Sequence, residues 1–100
     1  MPSGHAKASV GGTVVAETDS WEEVEGNVYF PPAAVKTEHF KGTGLHTTCP
    51  WKGEASYYTV SAGGQELANA AWYYPEPKAA AENIRGYVAF YKNKVDVTTS

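Results

Sequence analysis

The chain has 100 residues, a length that suits one domain with one modest core and leaves no room for a second. Apolar residues make up 42% of it and aromatics 13%, and eight Lys+Arg against eleven Asp+Glu give a net charge of −3. That balance argues against a nucleic-acid module held by counterion release. A single cysteine, Cys49, excludes an internal disulfide and a cysteine-only zinc cage.

The amino terminus, Met1-Pro2-Ser3-Gly4-His5-Ala6-Lys7, lacks the apolar core of a signal peptide. The longest apolar run, Ala70–Tyr74, is too short to span a bilayer, so no membrane partner is expected. An unpaired thiol suits a reducing compartment, and a cytoplasmic location follows as the expectation. One domain over residues 1–100 is expected, with its core at about 7–97. Met1–Ala6 and Val97–Ser100 are small or polar and are expected to fray.

Ten glycines and six prolines punctuate the chain every few positions, which favours short strands and turns. Lys7–Val10, the turn Gly11-Gly12 and Thr13–Glu17 read as a two-residue hairpin. Trp21–Glu25, a turn at Gly26-Asn27, and Val28–Phe30 repeat the pattern. Pro31-Pro32 stops that strand, because proline cannot donate to a ladder. Pro32–Lys36 suits one helical turn, Glu38–Lys41 a weaker strand and Gly42-Thr43-Gly44 a loop.

Glu54–Val60 alternates, with Ala55, Tyr57 and Thr59 on one face and Ser56, Tyr58 and Val60 on the other. A turn at Ala62-Gly63-Gly64 leads into a long strand, Gln65–Tyr74, with room for a bulge. Pro75-Glu76-Pro77 ends it. Residues 78–85 carry the best helix signal, closed by Gly86 as the residue after the cap. Tyr87–Tyr91, a turn at Lys92-Asn93 and Lys94–Val97 predict a last hairpin. The sum is a mainly β single domain of antiparallel hairpins with one short helix near 78–85.

Four blocks stand out: Asn27–Pro32, Thr48–Tyr58 with its Cys49-Pro50-Trp51-Lys52-Gly53 core, Asn69–Pro77, and Ile84–Tyr91. In this order they resemble the small bacterial and fungal family called domain of unknown function 427, over about Lys7 to Val95. The resemblance implies two packed antiparallel sheets related to the β-tent group. Many β-tent proteins hold zinc with paired Cys-x-x-Cys knuckles, which one cysteine cannot build, so no metal or other cofactor is expected. The family has also carried a nucleotidyltransferase label. The only aspartates, Asp19 and Asp96, lie near opposite ends of the sequence, and no Walker motif is present.

Cys49 is the first chemical candidate, because a thiol ionises at neutral pH only beside a cation or a helix N-terminus. His46 lies three residues before it and Lys52 three after. Cys49 therefore reads either as a nucleophile activated by one of them or as a small buried hydrophobe. Lys52 reads as a catalytic or anion-binding amine, or as a solvated lysine with its stem on Trp51.

Trp51, Tyr57, Trp72 and Tyr74 form the candidate aromatic wall. Trp72 and Tyr74 share a strand face and Tyr57 lies across the turn. The wall is either a ligand pocket or sheet core. Glu54, Glu76 and Asn69 read as solvated or turn-bonding residues before catalytic ones. Three functions remain open. They are a domain binding an unidentified small molecule near Cys49 and Lys52, an enzyme with Cys49 as nucleophile, and an interaction module using exposed aromatics.

Overall fold

A computed structural model describes residues 3–100. Its strands are β1 (Ser3–Val10), β2 (Thr13–Ser20), β3 (Glu22–Val24), β4 (Asn27–Tyr29), β5 (Phe40–Cys49), β6 (Gly53–Ala62), β7 (Gln65–Tyr73), β8 (Val88–Phe90) and β9 (Asp96–Thr99). They form three sheets, ordered β2-β1-β9, β3-β4 and β5-β6-β7-β8, and every strand pair within them is antiparallel.

The main core lies between the three-stranded and four-stranded sheets. Ala6, Ala8 and Val10 alternate inward along β1. On β2 the register shifts between Ala8 and Ser9, and the extra residue lets adjacent Val15 and Ala16 both turn inward. The small alanines leave space for rings from the facing sheet. Phe30 meets Phe90 edge-on at 5.5 Å, Phe40 meets Tyr58 at 5.5 Å, and Tyr58 stacks on Tyr73 at 4.7 Å.

The four-stranded sheet is covered on its second face too. Ala55 and Tyr57 of β6, Trp72 of β7, Ala89 of β8 and Tyr74 pack there against Tyr29, Ala81 and Ile84. Two pieces supply this cover. One is the β3–β4 hairpin, whose chain continues through Phe30 to exchange two backbone hydrogen bonds with Val88. The other is the 3₁₀ segment Ala79–Ile84. Sequence alternation on β6 is thus read by two different cores.

Several elements differ from expectation. The second hairpin turns at Glu25-Gly26 instead of Gly26-Asn27, with positive φ at both residues. Residues 42–44 belong to β5, which carries a register shift between Gly42 and His46. The helix near 78–85 is 3₁₀, broken by a non-helical Ala81 at φ −121°. The last hairpin does not form, because β8 and β9 join different sheets. Nor does the expected fraying describe residues 3–6 or 97–99, which pair within β1 and β9. Met1 and Pro2 lie outside the described residues.

The β1 end is also held by side chains. Gly4-His5 opposes Asp19 at a register shift in the β1–β2 ladder. There the His5 ring meets Glu17 through Nε2 at 2.5 Å and Asp19 through Nδ1 at 3.1 Å. Hydrogen bonds to Asp19, then Glu17, raise the imidazole above its ordinary value. A raised value means that the stabilisation is fully present below about pH 6.5 and disappears as pH rises through the folded value. The difference in urea midpoint between the native chain and His5→Gln should therefore shrink on going from pH 5.5 to pH 9. In the core, Phe30 is fully buried. Phe30→Ala should cost about 3–5 kcal/mol in urea unfolding at any pH in that range.

Candidate functional site

The β5–β6 hairpin carries the chemistry at its tip. Cys49 pairs with Gly53, and Pro50, Trp51 and Lys52 form the connection. Gly53 has φ +113°, and a side chain there would stand 3.4 Å from the Glu76 carbonyl oxygen. The positive φ, more than the space, explains the glycine. The 75–78 segment clamps the tip through two bonds. The Lys78 amide donates to the Lys52 carbonyl at 2.8 Å, and the Lys78 ammonium donates to the Pro50 carbonyl at 2.7 Å.

The clamp turns Lys52 inward. It is buried, at 5% exposure, a state that charged side chains reach only with a partner. The partner is Glu25, at the tip of the β3–β4 hairpin, which accepts a hydrogen bond from the ammonium. Glu25 sits at φ +54°, a region that most non-glycine residues avoid. The ammonium also lies 5.0 Å from the Trp51 ring centre and 5.7 Å from that of Tyr74. Burial works against the Lys52 charge, but the Glu25 bond together with the neighbouring Tyr74, Tyr29 and Cys49 outweighs it, and the amine is held above its ordinary value.

Cys49 lies half-buried beside this charge. Its partial burial opposes ionisation. The Lys52 and Trp51 backbone amides, which donate to the sulfur, and the adjacent Lys52 ammonium outweigh that effect and bring the thiol below its ordinary value.

The aromatic residues are gathered as the alternation predicts. Tyr57 and Trp72 are direct cross-strand neighbours, and Tyr74 shares their face. Much of each ring packs against protein. The Trp72 Nε1 donates to the Tyr29 hydroxyl at 3.1 Å. The Tyr57 hydroxyl bonds that of Thr47 at 2.9 Å and that of Tyr91 at 3.3 Å. Burial pushes Tyr74 up to about 12, so its hydroxyl stays neutral at physiological pH. Trp51 is 40% exposed, and Tyr91, which packs against Tyr57 and Trp72, is 38% exposed.

His46 is not brought to the sulfur. Three residues from Cys49 on one strand, it points to the opposite face of β5, where Nδ1 meets Ser56 Oγ at 3.3 Å. Asn69 sits at φ +52° in a β7 register shift and accepts a hydrogen bond from Thr43. A concavity of about 340 Å³ lies elsewhere, on the three-stranded sheet, between the His5 cluster and Ala33–Lys36. Among the described residues, no three His, Cys, Asp or Glu side chains are placed to hold a metal ion. At His5 the two carboxylates sit on opposite ring nitrogens and do not converge. Among the same residues, no helix is long and apolar enough to cross a membrane.

Sequence reasoning missed Glu25 and Tyr29. Both lie far from Cys49 along the chain. The available signal for Glu25 was a non-glycine residue before Gly26 at a two-residue turn position.

The fold and site together define a small antiparallel β domain with a half-buried cysteine and a buried lysine–glutamate pair at a clamped hairpin tip. The family described as domain of unknown function (DUF427) matches residues 2–100, and the chain belongs to that family. No curated protein matches the chain.

Lys52 also holds the Glu25 carboxyl below its ordinary value, through the hydrogen bond first. A depressed carboxyl contributes stability above the ordinary carboxylate range and loses it as pH falls through the folded value. Glu25→Gln should therefore be less stable than the native chain at pH 7. The gap should close toward pH 2, as read from urea midpoints.

Proposed function

We propose that the chain binds a small, neutral, planar molecule at the β5–β6 tip and presents an electrophilic carbon of it to the Cys49 thiolate. The observation that carries this reading is the half-buried Cys49 on the same clamped hairpin end as the buried Lys52–Glu25 pair, where the Lys52 and Trp51 amides and the Lys52 charge lower the thiol. Open ring surface on Trp51 and Tyr91 supplies apolar contact for a planar group. With Glu25 and the thiolate both negative, the tip disfavours an anionic ligand.

In this reading the thiolate lone pair forms a carbon–sulfur bond with a carbonyl carbon, and the carbonyl π pair moves to oxygen. Lys52, kept charged by Glu25, faces the new oxyanion as a positive charge and proton donor. Cys49 is the reacting group. Lys52 acts on it as the activating cation, the role the sequence offered equally to His46.

Alkylation tests this directly, because the chain holds one thiol. The rate with iodoacetamide should rise with a midpoint below the free-thiol value of about 8.5. Iodoacetamide should outpace iodoacetate by more than it does with free cysteine. Lys52→Met should move the midpoint upward, and His46→Gln should leave it in place. An ordinary midpoint in the native chain, or a thiol silent to both reagents, would return Cys49 to the role of a packing residue.

A further inference from the structure

The β3–β4 hairpin brings Glu25 to Lys52, and its own pairing is too short to fix the turn that does so. Each strand has three residues, and the Glu25-Gly26 turn holds positive φ at both positions, +54° and +78°. Glycine takes that conformation freely. Glutamate does not, and an untied turn would relax and carry the carboxylate off Lys52. The hairpin root is tied by the Phe30–Val88 exchange and by Asn83, whose Nδ2 donates to Glu22 Oε1 at 2.8 Å. The tip is tied from another direction, where the Lys92 ammonium donates to the Gly26 carbonyl at 2.8 Å.

Lys92 reaches the tip from a fixed base. The Tyr91 amide donates to the Ala70 carbonyl of β7 at 2.9 Å, and the Lys94 and Val95 amides close a turn on the Tyr91 carbonyl at 3.0 Å. The Tyr91 ring packs on Trp72 at 4.7 Å, Val95 is buried, and the Lys94 ammonium donates to the Ala68 carbonyl at 3.0 Å. The turn is therefore anchored on both sides of Lys92, and the lysine links the four-stranded sheet to the hairpin tip.

We infer that Lys92 is a positioning residue for the site: its bond to the Gly26 carbonyl holds the Glu25-Gly26 turn in its left-handed form and so places the Glu25 carboxylate on Lys52. The inference rests on the proposed function, in which Lys52 is the activating cation, and adds the group that keeps its counter-charge in place. Lys92 acts through the backbone, since its acceptor is a neutral carbonyl. Without this tie the turn relaxes, Glu25 moves into water, and Lys52 is left as a buried ammonium with no carboxylate. The Glu25 carboxyl then titrates as a free one does. The other titratable groups facing the pair are Tyr29, Tyr74 and Cys49, and the tie to Gly26 leaves them where they are.

The test is the titration of the Glu25 side-chain carboxyl in the intact chain, followed by carbon-13 NMR, with urea midpoints at pH 7 alongside. In the native chain the Glu25 midpoint should lie below the ordinary value of about 4.3. In Lys92→Met, an exchange at an exposed position, it should rise to that value. Lys92→Arg, which keeps a donor of similar reach, should return it. Asn83→Ala unties the hairpin root and serves as the control. It should lower the urea midpoint and leave the Glu25 titration as in the native chain. The Lys92→Met shift should be equal in ~0.1 M and ~1 M salt, because a short bond to a carbonyl is not screened as a distant charge is. A Glu25 titration that Lys92→Met does not move overturns the inference. An equal shift in Asn83→Ala also overturns it, by making the general hold on the hairpin the cause. So does a shift that vanishes in ~1 M salt, which would assign the effect to the Lys92 charge. Iodoacetamide separates this inference from the reading beneath it. An ordinary thiol midpoint in the native chain, with Glu25 still moved by Lys92→Met, supports the positioning role and overturns the functional reading alone.

Discussion

A lysine ammonium taken out of water must be met by an opposite charge or give up its proton, and the cost of meeting neither condition is several kcal/mol. Much of the local architecture answers that constraint at Lys52. The β3–β4 hairpin supplies Glu25, and it does so from a left-handed backbone position that glycine or asparagine would occupy more easily. The 75–78 segment fixes the Lys52 carbonyl, which sets the direction of the side chain. Tyr74 closes one side of the amine. A glutamate in a strained turn and a buried lysine are each unfavourable alone, and together they form a satisfied pair on the hairpin end that carries Cys49. Such local conflicts, resolved only by each other, mark functional sites more often than packing sites.

The pair depends in turn on the sheet beneath it. A four-stranded antiparallel sheet with one covered face would leave Tyr57, Trp72 and Tyr74 in water. Here the second face is closed by a short hairpin and a 3₁₀ segment, neither of which forms an independent layer. The tie is the Phe30–Val88 exchange of backbone bonds, which attaches the hairpin to the free edge of β8. One residue earlier, Tyr29 turns to the second face and accepts the Trp72 indole bond. Adjacent residues of one extended segment therefore anchor both cores: Phe30 the sandwich and Tyr29 the site. The small aromatic site is stable because its lid is built into the edge of the main sheet.

What the sequence made legible follows from the range of each interaction. The Gly11-Gly12 and Gly63-Gly64 turns, the alternation of β6 and the bulge in β7 are local, and they read directly from residue types and period-two spacing. The union of Cys49 with Lys52 was also local, since a three-residue connection leaves few alternatives. His46 was equally close in sequence but an odd number of strand positions away, and strand pleating sends it to the other face. Glu25 and Tyr29 were beyond reach, because a hairpin's docking position depends on an edge, and edges are defined only when all strands are assembled. The same reason explains β8 and β9. Residues 87–97 have the composition of a hairpin, but Val88 and Phe90 are needed in the four-stranded core, whereas Val97 packs with β1 on the facing sheet.

Membership of a family also associated with nucleotidyl transfer invites a comparison of that chemistry with the residues present. Transfer of a nucleotidyl group relies on carboxylates that hold divalent cations against the phosphates. Asp19 is engaged by His5 on the three-stranded sheet, and Asp96 lies on β9 of that sheet. Glu25, the carboxylate at the candidate site, is committed to Lys52. Redirecting it to a metal would strand a buried ammonium. The tip instead commits its carboxylate to the buried amine, and the half-buried Cys49 lies on the same hairpin end. Chemistry is set by the site and not by the scaffold. At this tip the carboxylate serves the buried ammonium, so the chemistry available there belongs to the Lys52–Glu25 pair and the half-buried Cys49 beside it.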